Sequence, residues 1–303
     1  MAAIELESIT KTFGKHTAVD TLSLSVPEGS VYGFIGPNGS GKTTTLRMIM
    51  NIIPPDSGKI KVLGAPLTPS TTDRIGYMPE ERGLYRRMKV RELLQFFGSL
   101  KSENNVKTKV DQWLERLDLT AWANKQVETL SKGMAQKVQF IATVVAEPEL
   151  VLLDEPFTGL DPVNTDVIKD AILGFQARGA TVIFSTHDMS MAEKMCDFIF
   201  MIFKGKKVLD GTLSSIQDKY ATDTLRIRIG DGAGALQNID GIEKVNDFGQ
   251  MQELRLAPAA DPQKILHEIL RRTTVRSFDI TKPSLHDIFI RIAGPEAKEV
   301  NHA

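Results

Sequence analysis

The sequence predicts an α/β fold built on a mostly parallel sheet, followed by a small C-terminal α+β domain. Short apolar runs at 31–35, 150–153 and 181–184 have the length and the Val, Ile, Leu and Phe content of strands buried on both faces. Helical-looking stretches at 42–53 and 162–176 alternate with them, as a parallel sheet with crossover helices requires. A third observation marks the second module: from about Tyr220 the pattern changes, and Leu225, Ile227 and Ile229 alternate with Arg226 and Arg228.

Taken in order, residues 2–27 show strand-like alternation interrupted at Phe13-Gly14 and closed by a turn at Pro27-Glu28-Gly29. The strand 31–35 follows, then a loop, then the helix 42–53, which Pro54-Pro55 ends. The middle of the chain reads as a helical insertion. Residues 91–100 look helical, and Val106, Val110, Trp113, Leu114 and Leu117 recur at helical spacing. The domain boundary is expected at 219/220, giving domains 1–219 and 220–303. In the second, Gly230 to Gly234 makes a turn, and Asp261-Pro262 caps a helix carrying Ile265, Leu266, Ile269 and Leu270. A strand 275–280 and a helix from Ser284, with Leu285, Ile288, Phe289 and Ile292 on one face, complete it.

A chain of 303 residues with 42% hydrophobic and 25% charged content has the ordinary composition of a globular protein able to bury its own core. The lone Cys196 excludes an internal disulfide or a cysteine zinc cluster and suits a reducing compartment. The net charge of −1, with 26 basic and 26 acidic residues before Tyr220 and 11 and 12 from it onward, offers no field for a polyanion, so no nucleic-acid partner is expected. No apolar run approaches the roughly 18–20 residues of a membrane-spanning helix. The first residues do not read as a signal peptide.

The chemistry begins at Gly36-Pro37-Asn38-Gly39-Ser40-Gly41-Lys42-Thr43, which matches GxxxxGK[ST] between a buried strand and a helix. Such a loop turns successive N–H groups onto phosphate oxygens while the helix N-terminus adds partial positive charge. Gly36 through Thr44 are the expected phosphate cradle, Lys42 bridging the β- and γ-phosphates and Thr43 ligating Mg²⁺. The apolar strand 150–153 then runs into Asp154-Glu155, two acids that are costly at the mouth of a buried strand unless they meet a cation or substrate. Asp154 fits the Mg²⁺-associated carboxylate and Glu155 a base for the attacking water. A guanine-reading Asn-Lys-x-Asp is missing, since Asn124-Lys125 is followed by Gln126-Val127, which disfavours a regulatory G protein.

With these residues placed, the sequence resembles the ABC-type ATPases. Leu130-Ser131-Lys132-Gly133-Met134-Ala135-Gln136 is similar to the family's signature LSGGQ, and 156–162, PFTGLDP, to the loop that places an Asp across a dimer interface. Ser185-Thr186-His187-Asp188 resembles the switch histidine, Phe13 the aromatic that stacks on adenine, and Gly76-Tyr77-Met78-Pro79-Glu80 the loop joining core to helical subdomain. The resemblance spans residues 4 to about 218. It implies a P-loop NTPase core with an ABC-type β subdomain and helical subdomain, and ATP with Mg²⁺ bound between two chains. Glu155 and His187 would be catalytic; Ser131, Lys132, Gly133 and Gln136 would face the partner's ATP; Asp161 would lie at the interface.

Two departures stand out. Glu80, followed by Glu81 and Arg82, replaces the family's usual Gln, and a carboxylate can still ligate Mg²⁺ beside Thr43 and Asp154. Lys132 and Met134 replace Gly and Gln in the signature. PEERG and SKGM together resemble the ATPase subunits of ABC-2-type exporters related to sodium and drug efflux. That resemblance implies a homodimer, or a dimer with a closely related ATPase subunit, working at the cytoplasmic face of the membrane on a separate transmembrane permease, which would dock beside 80–89 with Leu84 and Tyr85 in its groove. The competing expectations are a soluble ABC-type ATPase acting on ribosomes or DNA, and a nucleotide-binding regulatory module without turnover.

Overall fold

The alternating N-terminal stretch forms a long antiparallel hairpin, β1 (Ala2–Phe13) and β2 (His16–Pro27), whose inward residues Ile4, Leu6, Val19, Leu22 and Val26 are buried. The computed structural model describes residues 1–81, 83–101, 105–220, 224–230, 233–257, 260–280 and 282–297. They fall into two compact units, Met1–Thr212 and Leu213–Ala303.

In the first unit the hairpin joins β4 (Ser57–Val62) and β5 (Ala65–Pro66) in a four-stranded sheet of order β2-β1-β4-β5. The second sheet has six strands in the order β10-β9-β3-β8-β7-β6. They are β3 (Val31–Ile35), β6 (Ile75–Met78), β7 (Leu150–Asp154), β8 (Thr181–Thr186), β9 (Phe198–Phe203) and β10 (Lys206–Gly211). All neighbours are parallel except the β9–β10 hairpin. Every residue of β3, β7 and β8 is buried, as their unbroken apolar sequence predicts.

Alternation within these strands feeds two separate cores, because successive side chains leave on opposite faces. Val31, Val151, Leu153, Val182 and Phe184 pack into one cluster with the helical part, where Trp113 stacks on Phe175 with centroids 5.6 Å apart. Tyr32, Phe34, Leu152, Ile183 and Phe200 join the other, with Ile4, Leu6 and Ile9 of the first sheet. The helical part contains α3 (Val90–Ser99), α4 (Val106–Arg116) and α5 (Lys132–Val144); α1 (Lys42–Ile49), α2 (Pro69–Asp73), α6 (Pro162–Gln176) and α7 (Met189–Met195) belong to the sheet connections. The first helix ends at Ile49, four residues before the predicted end. Met50 closes it and Asn51 takes a left-handed φ of 55°, so the helix stops before the prolines are reached.

The second unit, Leu213–Ala303, opens with α8 (Leu213–Asp218), a helix that the sequence reading did not single out. Its sheet, of order β12-β13-β11-β14, is antiparallel among the described residues: β11 (Thr224–Ile229), β12 (Ile242–Asp247), β13 (Gln252–Leu256) and β14 (Val275–Ile280). α9 (Pro262–Arg272) puts Ile265 and Ile269 on Leu225, Ile227, Leu254 and Leu256. α10 (Leu285–Ala297) buries Leu285, Ile288 and Phe289. Leu270 and Ile292, expected on the inner faces, are exposed; each sits at the edge of its stripe. Asp231 and Gly232 of the expected turn lie outside the described residues, as does Arg82.

Candidate active site

The C-terminal ends of β3, β6, β7 and β8 bring the motif residues to one edge of the parallel sheet, where α/β proteins bind ligands. Two glycines of the 36–43 loop are fixed by space. A Cβ on Gly36 would lie 2.2 Å from the Ile202 carbonyl oxygen, and one on Gly41, at φ 111°, 2.4 Å from the Ala18 carbonyl oxygen. Gly41 is the N-cap of α1 and offers no side chain, which leaves the helix's first N–H groups free of a side-chain cap.

Lys42 is only 6% exposed. Its Nζ donates to the carbonyl oxygens of Gly36 at 2.7 Å and Pro37 at 3.1 Å, and stands 3.8 Å from Glu155 Oε1. Burial lowers its pKa; the charges of Glu155, Asp154 and Glu80 oppose that shift. An ammonium held by loop carbonyls in this way can exchange them for phosphate oxygens.

Asp154 is fully buried. Its Oδ1 accepts a hydrogen bond from Ser185 Oγ, its register partner on β8, while Oδ2 has no partner. Ser40 Oγ is likewise buried and unpartnered. Buried polar atoms without partners are costly, and an oxygen-ligated Mg²⁺ with its phosphates would satisfy both, so the donor set fits that ion. Glu155 takes a left-handed φ of 50°, and its N–H donates to Ser185 Oγ at 3.0 Å. Its carboxylate accepts from Thr158 Oγ1 at 3.3 Å and lies 3.1 Å from His187 Nδ1. Ser185 thus braces both acids.

A cleft of about 480 Å³ is lined by Phe13, His16 and Ala18, by the backbone and side chains of 38–44, and by Glu80 and Glu155. Phe13 is 50% exposed, which leaves it free to offer a ring face to a base. Thr43 and Thr44 lie in this lining; Gly36 and Pro37 meet the site through Lys42.

The signature residues stand apart from that cleft. Ser131 caps α5, its Oγ accepting from the Met134 N–H at 3.3 Å. Gln136 Nε2 donates to the Pro156 carbonyl at 3.1 Å, and a Cβ on Gly133 would sit 3.7 Å from Leu160 and Asn164. The Lys132 side chain crosses Gly159 so closely that a Cβ there would be 2.4 Å from its Cε. Asp161 caps α6 by accepting from the Asn164 backbone N–H and side-chain amide, which hold its carboxyl below the usual range. The signature therefore rests on the 156–164 loop of its own chain.

Sequence reasoning missed Ser185, Thr158, His16 and Ala18. Ser185 and Thr158 each stood inside a recognised motif, Ser-Thr-His and PFTGLDP, but the partnership of Ser185 with Asp154 depends on strand register. Among the described residues no helix is long and apolar enough to cross a membrane.

The ABC transporter family matches residues 19–158, and the family described as "ATP-binding protein DrrA1-3-like, C-terminal domain" matches 211–293. An uncharacterized ABC transporter ATP-binding protein, YhaQ of Bacillus subtilis, is 39% identical over 293 residues, covering 96% of this chain and 98% of that one. The linearmycin resistance ATP-binding protein LnrL of the same organism is 31% identical, with 96% and 98% covered. The Nod factor export ATP-binding protein I of Paraburkholderia xenovorans is 33% identical, with 98% and 99% covered. A solved ATP-binding subunit of an ABC transporter superimposes with a TM-score of 0.68 at 28% identity, covering 72% of this chain and 93% of its own. The phosphate loop, the paired acids braced by Ser185 and identity along nearly the whole length agree: the chain belongs to the ABC transporter ATP-binding proteins, the ATP-hydrolysing subunits of these transporters.

Proposed function

We propose that this subunit drives export by closing on ATP as a dimer and passing the movement to a separate transmembrane permease at the cytoplasmic face of the membrane. The observation that carries the dimer is the separation of the two halves of the site. Lys42, Thr43, Glu80 and Glu155 line one cleft, with Asp154 buried beside Glu155, whereas Ser131 and Gly133 do not line it, so a second copy set head to tail would supply them. Export rests on the relatives, among them one named for Nod factor export and one for linearmycin resistance.

In this reading Phe13 stacks on adenine and residues 36–44 hold the phosphates. Thr43, Asp154 and Glu80 hold Mg²⁺, which supplies charge neutralisation on the phosphate oxygens. Glu155 accepts the proton of the attacking water, and His187 orients that carboxylate and meets the terminal phosphate. Ser131, Lys132, Gly133 and Gln136 serve the partner's ATP, and Asp161 lies at the interface. Residues 220–303, which lie within the second compact unit, serve as an accessory domain. The permease docks in an apolar groove of about 370 Å³ lined by Leu84, Phe97 and Leu100, with Tyr85 packed on Phe97 beside it.

Two measurements test this. Light scattering on Glu155→Gln with saturating MgATP should give a dimer, and a monomer would overturn the closure mechanism. A tagged chain should co-purify from detergent-solubilised membranes with a multi-span membrane protein; recovery only from the soluble fraction would overturn the permease.

A further inference from the structure

Gln139 lies on α5, one turn beyond Gln136, and is 4% exposed. Its Nε2 donates to the carbonyl oxygen of Pro79 at 2.7 Å and to that of Glu81 at 3.3 Å. Those carbonyls flank Glu80 on either side. The first carbonyl belongs to the peptide that leads into Glu80 and the second to the peptide that leaves Glu81, so one amide pins both ends of the two-residue turn from which the Glu80 side chain leaves the backbone. Glu80 leaves toward the nucleotide cleft, which it lines with Lys42 and Thr43.

The other end of the amide shows that this is more than filling space. Gln139 Oε1 is buried and has no donor. An apolar residue of the same length would occupy the volume without burying an orphaned acceptor, so the amide is retained for the bonds its nitrogen makes. Those bonds also join two parts of the machinery. α5 begins at the signature Ser131 and touches the loop after Glu155 through Gln136, and through Gln139 it touches the loop of Glu80.

We infer that Gln139 is the positioning residue of Glu80, aiming its carboxylate at the Mg²⁺ of the bound nucleotide and tying that aim to the signature helix. The inference rests on the proposed role of Glu80 as a metal ligand. Groups that orient a ligand from behind change metal affinity by about 10–100-fold when removed.

Calorimetric titration with ATP, in Mg²⁺ and separately in EDTA, tests it on the full chain as Glu80→Ala, Gln139→Met and the double variant. Each single variant should lose about tenfold of the Mg²⁺-dependent tightening, and Gln139→Met should leave affinity for metal-free ATP unchanged. The double should lose no more than the worse single. Gln139→Asn, whose shorter amide cannot span both carbonyls, should behave like Gln139→Met and serves if the latter does not fold. A Gln139 variant that melts earlier yet keeps the full Mg²⁺ effect, while Glu80→Ala loses it, shows a packing role and overturns this inference alone. Additive losses overturn it as well. Full tightening in Glu80→Ala overturns the metal role of Glu80, and this inference with it.

Discussion

His187 Nδ1 lies 3.1 Å from each carboxylate oxygen of Glu155. The imidazole is exposed and the carboxylate buried, so the histidine reaches in from the surface to a group that the buried Lys42 approaches from inside and to which the exposed Thr158 donates. A carboxylate contacted by three side chains acts as one unit with them. Glu155→Gln should bind ATP and lose turnover by roughly 10²–10⁴, the scale of a removed general base. His187→Ala in the same background should cost little more, because residues acting together do not contribute additively. Steady-state hydrolysis with nucleotide affinity measured in parallel checks both; a Glu155→Gln rate near that of the parent would remove Glu155 from the mechanism.

Ser185 carries a second burden at the same place. Its hydroxyl donates to Asp154 Oδ1 and accepts from the N–H of Glu155, whose backbone is held at φ 50°. Ser185→Ala would leave both Asp154 oxygens without a partner in a fully buried position. The expected cost is about 1–3 kcal/mol in denaturant unfolding without nucleotide, and saturating MgATP should recover part of it by binding the folded state. Equal stability of variant and parent in nucleotide-free buffer would show that the hydroxyl is dispensable.

The site was legible in the sequence where its chemistry is local. Gly36 to Thr43 would act through consecutive backbone groups, which a contiguous motif displays, and Asp154-Glu155 stand out by ending an apolar strand. Ser185 and Gln139 act across strand register and helix packing, and neither spacing is written in a single sequence. The same holds for the fold. Fully buried β3, β7 and β8 stand out as apolar runs, whereas β12 and β13 were missed. β12 offers only Ile242 and Val245 among polar residues, and both are half-buried; β13 buries Gln252 and Glu253 beside its leucines. The exposed Leu270 and Ile292 show the reverse error: helical spacing marks a stripe but not its edge.

Cys196 gives a check on the packing of β3. Its Sγ lies where a Cβ on Gly33 would come within 2.6 Å, and burial, aided by the charge of Asp197, pushes its pKa well above the ordinary thiol range. A raised pKa means less thiolate at neutral pH, and the thiolate is the reactive form. Thiol reagents should therefore modify the native chain at least about tenfold more slowly than the denatured chain, which should take up one equivalent. Equal rates would mean that this contact is open in solution.

On the proposed docking role, changes in the groove beside Glu80 should separate hydrolysis from transport. Leu84 is partly buried against the core, while Tyr85 is exposed and packs its ring on Phe96 and Phe97, with centroids 5.9 and 6.2 Å away. Three aromatic rings clustered at the surface form a rigid apolar seat, of the kind that anchors a partner helix. Removing Tyr85 takes contact area from that seat without touching Lys42, Asp154 or Glu155. Tyr85→Ala should therefore leave the hydrolysis rate of the isolated subunit within about twofold and weaken binding to the permease by about 1–3 kcal/mol, on the scale of an interface anchor. Co-purification yield and ATP-driven transport in vesicles should both fall. Unchanged transport would place the docking surface elsewhere, and a fall in the isolated subunit's own hydrolysis would mean that the seat supports the Glu80 loop rather than the permease.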